Sequence, residues 1–430
     1  MSPGFVERSQ PKSSWLLFRM NAPKKLLLIG ATTGYQTRAF ADAAERLGFE
    51  LVLATDRCHV LDDPWGDRAI ALRFEDPQAA ANVLAAEAGV DGIVALGDRP
   101  AYLAALAAER LRLRYNAPDS VLACRSKFLA RERFRAVGLL VPQFQRVAIE
   151  DGPYRAAETA PYPCVLKPLG LSASRGVIRA NDRIEFVAAF RRIETLLCDP
   201  DILRMHEEQD RFLQVESFIE GREFALEGIL TGGKLRTLAI FDKPDPLNGP
   251  YFEETIYVTP SREPAEAQHG IVRTTESAVK ALGLTHGPIH AEMRVNRRGV
   301  WMLEVAARPI GGLCARVLPG LEELILRHAA GEDVSSIAMP GDAGGVMMIP
   351  IPREGIYVAT EGLEQARSVP GIEDVIITAK EGQKLVPLPE GASYLGFIFA
   401  RGSSPASVER TLRDSHQQLH FQIAAALPVI

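Results

Sequence analysis

After a polar leader, short apolar blocks alternate with longer amphipathic ones. Residues 24–30 (KKLLLIG), 50–54 (ELVLA) and 92–96 (GIVAL) are too short for helices and read as buried strands. Between and after them, 35–48, 77–89 and 100–110 carry apolar residues at helical spacing, and the first closes on Gly48. This alternation predicts a parallel sheet with right-handed crossovers. Such a sheet invites a nicotinamide dinucleotide, with Asp56 at the second strand end placed for a ribose. The first turn reads Gly30-Ala-Thr-Thr-Gly34, however, so the G-x-G-x-x-G fingerprint is broken.

From Ser120 the pattern changes. Residues 120–138 form one amphipathic helical stretch carrying Lys127, by itself a solvated lysine. Residues 162–168 (YPCVLKP) form a strand that ends at Lys167 and is stopped by Pro168. Alone, Lys167 reads as a snorkelling edge lysine. The loop after it, Gly170-Leu-Ser-Ala-Ser-Arg-Gly176, changes that reading, because small residues expose backbone N–H groups and hydroxyls that wrap phosphate oxygens. The order differs from a P-loop, since the lysine precedes the loop. A helix (181–197) follows, then antiparallel strands at 211–220, 223–230 and 234–241, leading through Glu253-Glu254 to a hairpin at 290–308.

That hairpin carries the densest chemistry. Asn296-Arg-Arg-Gly299 predicts a three-residue loop with Gly299 left-handed, pairing Asn296 with Val300, Arg294 with Met302 and Glu292 with Glu304. One face is then Ala291, Met293, Val295, Trp301, Leu303 and Val305, a core face. The other holds His290, Glu292, Arg294, Glu304 and, past the strand, Arg308. Two opposed carboxylates are unfavourable unless a cation sits between them, and a hard divalent ion meets that need. His286 and His290 have zinc-pair spacing, but Gly287-Pro288 forbids the helix such a pair requires. His286 therefore reads as structural, and His290 as a group beside the metal or substrate.

Composition narrows the picture without steering it. The chain is 47% apolar and 24% charged with a net charge of −5, which gives no reason to expect nucleic acid or an anionic membrane as partner. Its 430 residues exceed one core, and no apolar run is long enough to span a bilayer. Five scattered cysteines without Cys-x-x-Cys spacing predict reduced thiols in a cytoplasm. Residues 1–23 lack a signal-peptide core and read as a disordered tail.

Lys127, Pro163-Cys-Val-Leu-Lys-Pro168 with its Gly170–Gly176 loop, Glu216-Ser-Phe-Ile-Glu-Gly-Arg-Glu223, His290-Ala-Glu292 and Leu303-Glu-Val-Ala-Ala-Arg-Pro-Ile-Gly-Gly312 occur in the order of the ATP-grasp ligase superfamily. The likeness runs from about residue 24 to the C-terminus. Within the superfamily the chain most resembles the L-amino-acid ligases and related carboxylate–amine ligases, because of Glu253-Glu254, the Arg308-Pro-Ile-Gly-Gly312 run and the tail after Pro350. The resemblance implies an ATP-grasp fold of mixed α/β and α+β class. Its expected parts are a Rossmann-like (pre-ATP-grasp) domain at 24–118 and a central lid subdomain at 119–213. An antiparallel-sheet ATP-binding half with the metal site follows at 214–335, and a small β-rich C-terminal subdomain at 336–430.

The resemblance also implies roles. Lys127 and Lys167 would hold ATP phosphates, and Ser172, Ser174, Arg175 and Gly176 would close over the γ-phosphate. Glu216 to Ile219 would meet the adenine edge through backbone, and Glu223 the ribose. Glu292 and Glu304 would bind magnesium, two ions by family habit, with manganese as an alternative. Arg308 would steady the substrate carboxylate and its acyl phosphate, with Lys167 and Ser174 assisting catalysis. Glu253 or Glu254, His290, Gly311 and Gly312 would border the substrates. Ala306 stands where many relatives carry Asn, a departure that bears on the number of metal ions. The implied reaction is cytoplasmic ATP-dependent ligation of a small-molecule carboxylate to an amine through an acyl phosphate, as in dipeptide synthesis; a homodimer is expected only as the common default of soluble proteins. The alternatives are another ATP-grasp ligase (carboxylase-like or phosphoribosylamine-ligase-like) and an NAD-dependent oxidoreductase, which would leave the downstream constellation unexplained.

Overall fold

A computed structural model describes residues 23–31, 35–56, 69–86, 89–205, 207–339 and 341–425. Most of the expected tail and of the first turn lies outside these residues.

The expected parallel sheet is present, in the order β3-β2-β1-β4. Its strands are β1 (Lys25–Gly30), β2 (Glu50–Thr55), β3 (Ile70–Ala71) and β4 (Gly92–Leu96). Apolar runs such as Leu26–Ile29 are buried on both faces, as a sheet covered on each side demands. Helices 77–86 and 98–111 cover one face and helix 35–47 the other. Helix Leu321–Ala329, from far along the chain, packs against helix 35–47 and the sheet. The approach is so close that a Cβ on Gly92 would stand 2.1 Å from the Ala329 carbonyl oxygen, so only glycine fits there.

Residues 120–138 are two helices, Pro118–Arg125 and Lys127–Ala136, and not the single one expected. Ser126 takes an extended conformation and its hydroxyl accepts from the Leu129 N–H, an N-cap that outweighs the continuous amphipathic pattern. Lys127 thereby becomes the first residue of a helix.

The lid is a second sheet, in the order β5-β8-β6-β7. It contains β5 (Phe144–Ala148), β6 (Cys164–Pro168), β7 (Ile178–Ala180) and β8 (Phe212–Ser217), packed on helix Arg183–Leu197. Its last strand runs through to Ser217, so a boundary at 213 would cut β8 in two.

An eight-stranded sheet dominates the rest, in the order β13-β12-β9-β10-β11-β14-β18-β16. Its first members are β9 (Arg222–Thr231), β10 (Lys234–Lys243), β11 (Ile256–Thr259), β12 (Gly287–Asn296) and β13 (Gly299–Ala306). Then come β14 (Ala343–Ile349), β15 (Gly355–Glu361), β16 (Ile372–Ile377), β17 (Lys384–Leu385), β18 (Gly396–Gly402) and β19 (His420–Ala424). Strands β14, β18 and β16 continue the large sheet, while β15, β17 and β19 form a small one. The C-terminal residues thus both extend the central sheet and add a small sheet with a core of their own. Helix Ala265–Leu282 backs the β13 side of the sheet, burying Ile271, Ala278, Val279 and Leu282 with Ile289, Met293, Met302 and Val305. The opposite face is left for charged side chains. No described helix is long and apolar enough to cross a membrane.

Candidate functional site

The hairpin β12–β13 turns in two residues, not three. Asn296 pairs with Gly299 and Val295 with Val300, one step from the expected register. A bulge at Leu303 then absorbs the difference and restores the Glu292–Glu304 pair. Two consequences correct the sequence reading: Met302 belongs to the core face, and Leu303 leaves it to line the cleft. The Leu303 carbonyl, displaced by the bulge, accepts from Arg131 Nη1 at 2.5 Å.

The cleft between the lid and the large sheet has a volume of about 340 Å³ and opens to solvent. Of the residues expected at the site, Lys127, Lys167, Ser172, Ser174, Glu216, Ile219, Glu223, Glu254, His290, Glu292, Glu304, Arg308, Gly311 and Gly312 all line it. Arg175, Gly176 and Glu253 do not. The Arg175 guanidinium turns outward to Asp199 (3.2 Å) and to the Glu390 carbonyl (2.7 Å), and the Gly176 N–H donates to the Pro389 carbonyl at 2.7 Å. The covering loop is thus fastened to the C-terminal residues, reinforced by a two-pronged ion pair between Arg192 and Glu390. At its other end the Leu171 carbonyl accepts from Lys127 Nζ at 2.6 Å. Ala173 and Ser174 both take φ of 55°, a left-handed conformation that non-glycine residues adopt at a cost.

At the lid end, Glu216 is a surprise. Its side chain is buried and receives Arg131 Nε at 2.7 Å, Lys167 Nζ at 2.6 Å and Gln214 Nε2 at 2.5 Å. Burial would raise its pKa, but Arg131 and Lys167 hold it down to about 2. Arg131 lies one helical turn beyond Lys127, so a single carboxylate fixes both the helix carrying one lysine and the strand carrying the other. Burial lowers the pKa of the Lys127 ammonium itself. Apolar walls from Val165, Phe218, Phe252 and Leu303 frame this end.

On the large sheet the pairing of β12 with β9 sets Arg294 opposite Glu223 and His290 opposite Glu227. Arg294 Nε donates to Glu223 Oε2 at 2.9 Å and Nη1 to the Ile219 carbonyl at 2.7 Å, tying the linker to the strand. His290 sits between Glu227 (2.6 Å) and Glu292 (3.3 Å). Burial alone would lower its pKa, yet those hydrogen bonds lift it to about 9.

Two residues absent from the sequence reading complete the site. Lys243, the last residue of β10, is buried and donates to Glu223 Oε1 (2.9 Å), Glu292 Oε1 (2.8 Å) and Glu254. Burial disfavours its charge, but Glu254 and Glu292 hold its pKa well above the ordinary lysine value. Glu254 itself is pushed up to about 7 by burial and the neighbouring Glu292. The signal was there: Lys243-Pro244 repeats the strand-end pattern of Lys167-Pro168. Asp98, at the start of helix 98–111, receives Arg308 Nε at 2.9 Å. It follows the C-terminal end of β4, where open parallel sheets place their ligands.

The carboxylates of Glu223, Glu254 and Glu292 offer oxygens within 4.8 Å of one another. The bonds from Lys243, Tyr257 and His290 to Glu292 all fall on Oε1. A set of carboxylate oxygens fits a hard cation such as magnesium chemically; Glu304, though paired with Glu292 across the hairpin, is not one of these three residues.

Three family models match this chain in order: an ATP-grasp N-terminal domain over residues 41–113, an ATP-grasp domain over 160–317, and the L-amino acid ligase C-terminal domain 2 over 347–424. The chain is a member of the ATP-grasp superfamily, whose proteins use ATP. Within it, the chain carries the C-terminal domain of the L-amino acid ligases. The crystal structure of L-amino acid ligase from Bacillus licheniformis superposes with a TM-score of 0.80, at 28% identity over 93% of this chain and 98% of that one. Dapdiamide A synthase of Enterobacter agglomerans is 25% identical over 61% of this chain, and the ATP-grasp enzyme fsqD of Aspergillus fumigatus 24% identical over 63%. The chain spans only 58% and 53% of the length of these two curated relatives.

Proposed function

We propose that this chain is an ATP-dependent carboxylate–amine ligase that forms an amide bond on an amino-acid substrate, releasing ADP and phosphate. The observation that carries the reading is one cleft in which lysines, a covering loop, opposed carboxylates and a fixed arginine converge.

Lys127 and Lys167 bind the phosphates as compact charges, and Ser172 and Ser174 with the loop backbone cover them. Glu223 takes the ribose, and the segment from Glu216 to Ile219 meets the base through its backbone. Glu292 and Glu304 would hold magnesium, and the chemistry such an ion would supply is neutralisation of phosphate charge. A carboxylate resists attack by an amine because oxide is a poor leaving group, and phosphorylation converts that oxygen into phosphate. Arg308, oriented by Asp98, presents a planar fork to the substrate acid and to the oxyanion that forms when the amine adds. Glu254 is the carboxylate for a substrate ammonium. The loop, fastened at Pro389 and Glu390, excludes water that would hydrolyse the activated acid.

The test is magnesium-dependent ADP release that requires an amino acid, with hydroxylamine trapping the activated acid as a hydroxamate. ADP release indifferent to every acid would contradict the reading. Glu304→Ala should retain the wild-type melting temperature and lose at least about 99% of turnover; full activity in this variant would remove Glu304 from the metal site.

A further inference from the structure

Helix 98–111 opens on two adjacent residues of opposite charge that reach opposite sides of the cleft. Asp98 accepts from Arg308 Nε at 2.9 Å and from Nη2 at 3.4 Å, on the side of the large sheet. Arg99 Nε donates at 2.8 Å to Glu207, which belongs to the lid between helix Pro200–Leu203 and β8. Arg125, the last residue of helix Pro118–Arg125, donates to both oxygens of the same carboxylate at 2.9 and 3.1 Å. That helix packs on helix 98–111, and the Arg125 guanidinium stands 5.8 Å from the centre of the Tyr102 ring, one turn beyond Asp98. Two arginines outside the lid sheet therefore grip one carboxylate of the lid. Arg125 and Glu207 are only 13% and 17% exposed, so solvent screens this contact less than a surface pair. From Glu207 the contact runs on to the covering loop. Asp210, three residues later, backs Gly170 so closely that a Cβ there would stand 2.0 Å from its Oδ1, and the neighbouring Leu171 carbonyl accepts from Lys127. Arg99, Arg125 and Glu207 do not line the cleft, so substrate contact does not account for them.

We propose that the Asp98-Arg99 pair couples the ATP and acid sites, so that each ligand raises the affinity for the other. This rests on the ligase reading above and adds a link between its two sites. The lid has a hydrophobic core of its own, so it can move as one body. Closing on ATP sets Glu207 between Arg99 and Arg125 and fixes the start of helix 98–111. Asp98, one residue from Arg99, then holds Arg308 in the orientation that receives the acid. In the reverse direction, an acid bound on Arg308 fixes Asp98, and Arg99 is in place to receive the lid. Whichever ligand binds first orders this junction, and the second meets it already ordered. The linkage is reciprocal by thermodynamic necessity.

The test is a calorimetric cycle. Magnesium and adenylyl imidodiphosphate, a non-hydrolysable ATP analogue, are titrated with and without the amino acid that gives the most hydroxamate when the common L-amino acids are compared. That acid is then titrated with and without the analogue. In the wild type each ligand should tighten the other about tenfold. In Glu207→Gln and in Arg99→Gln the factor should fall below about threefold, while the affinity for either ligand alone changes by less than about threefold. Arg99 is 37% exposed, so its variant keeps the fold whatever Glu207→Gln costs. Asp201→Asn, which removes an exposed ion pair with Arg204 elsewhere in the lid, should leave the coupling intact. A wild type without coupling, or coupling undiminished in both variants, overturns the proposal while the ligase reading stands. No hydroxamate and no binding from any acid overturns the ligase reading, and this proposal with it.

Discussion

At the lid end of the cleft one buried carboxylate, Glu216, is shared by Arg131 and Lys167; across it one buried ammonium, Lys243, is shared by Glu223, Glu254 and Glu292. The two clusters are opposite in sign and alike in plan. In each, an inner counter-ion offsets the desolvation of the opposite charges gathered round it, and on the carboxylate side Arg294 and His290 share that task. The comparison separates two kinds of residue: losing an inner counter-ion should cost folding, and losing an outer group should cost binding.

The largest effect belongs to Lys243→Met, which removes the cation shared by three carboxylates and leaves Glu254 without one, while Glu223 keeps Arg294 and Glu292 keeps His290. Urea denaturation in metal-free buffer should show a loss of roughly 3–5 kcal/mol. Magnesium should raise the melting temperature of this variant more than that of wild type, because a divalent ion takes over the ammonium's task. A variant as stable as wild type would break the comparison on its negative side.

Glu216→Gln tests the positive side and should cost roughly 3 kcal/mol at pH 7. Its pH dependence has a definite sign. Burial opposes ionisation of Glu216, but Arg131 and Lys167 depress its pKa from 4.5 to about 2. A depressed carboxylate contributes fully above its unfolded value and loses that contribution as pH falls through the folded one. The gap in urea midpoint between wild type and Glu216→Gln should therefore close between pH 4.5 and 2; a gap that widens on acidification would refute the assignment.

Lys167→Ala removes an outer group. ATP affinity measured by calorimetry should fall about 10- to 100-fold, with a melting temperature much closer to wild type than that of Glu216→Gln. Unchanged nucleotide affinity would remove Lys167 from the phosphate site. The smallest effect is expected from Glu390→Gln, at the half-exposed pair with Arg192, worth about 0–1 kcal/mol. KM for ATP should rise no more than about threefold, and trypsin should cut the covering loop sooner; a tenfold rise would promote this surface pair to a main determinant of closure.

What the sequence made legible was local. Strand alternation placed Glu292 and Glu304 on one face, and the strand-end lysine and its loop do line the cleft. Even the mis-sized hairpin turn did no lasting harm, since the Leu303 bulge returned the carboxylates to their pairing. The counter-ions were hidden because their partners are distant. Lys243 meets carboxylates 11, 20 and 49 residues away, and Asp98 meets an arginine 210 residues away. Those meetings depend on strand order β12-β9-β10-β11 and on docking of the parallel sheet, neither of which a linear pattern encodes. Arg175 failed for a related reason: its loop is fastened to Pro389 and Glu390, and that contact turns the side chain outward.

The central claim is that the acid's own oxygen attacks the γ-phosphate before the amine arrives. Incubating the enzyme with magnesium, ATP, a carboxylate-¹⁸O-labelled amino acid and an accepting amine, and reading released phosphate by ³¹P NMR, tests this directly. One labelled oxygen per phosphate, formed in step with ADP, is the predicted result. Unlabelled phosphate accompanying amide formation would contradict it.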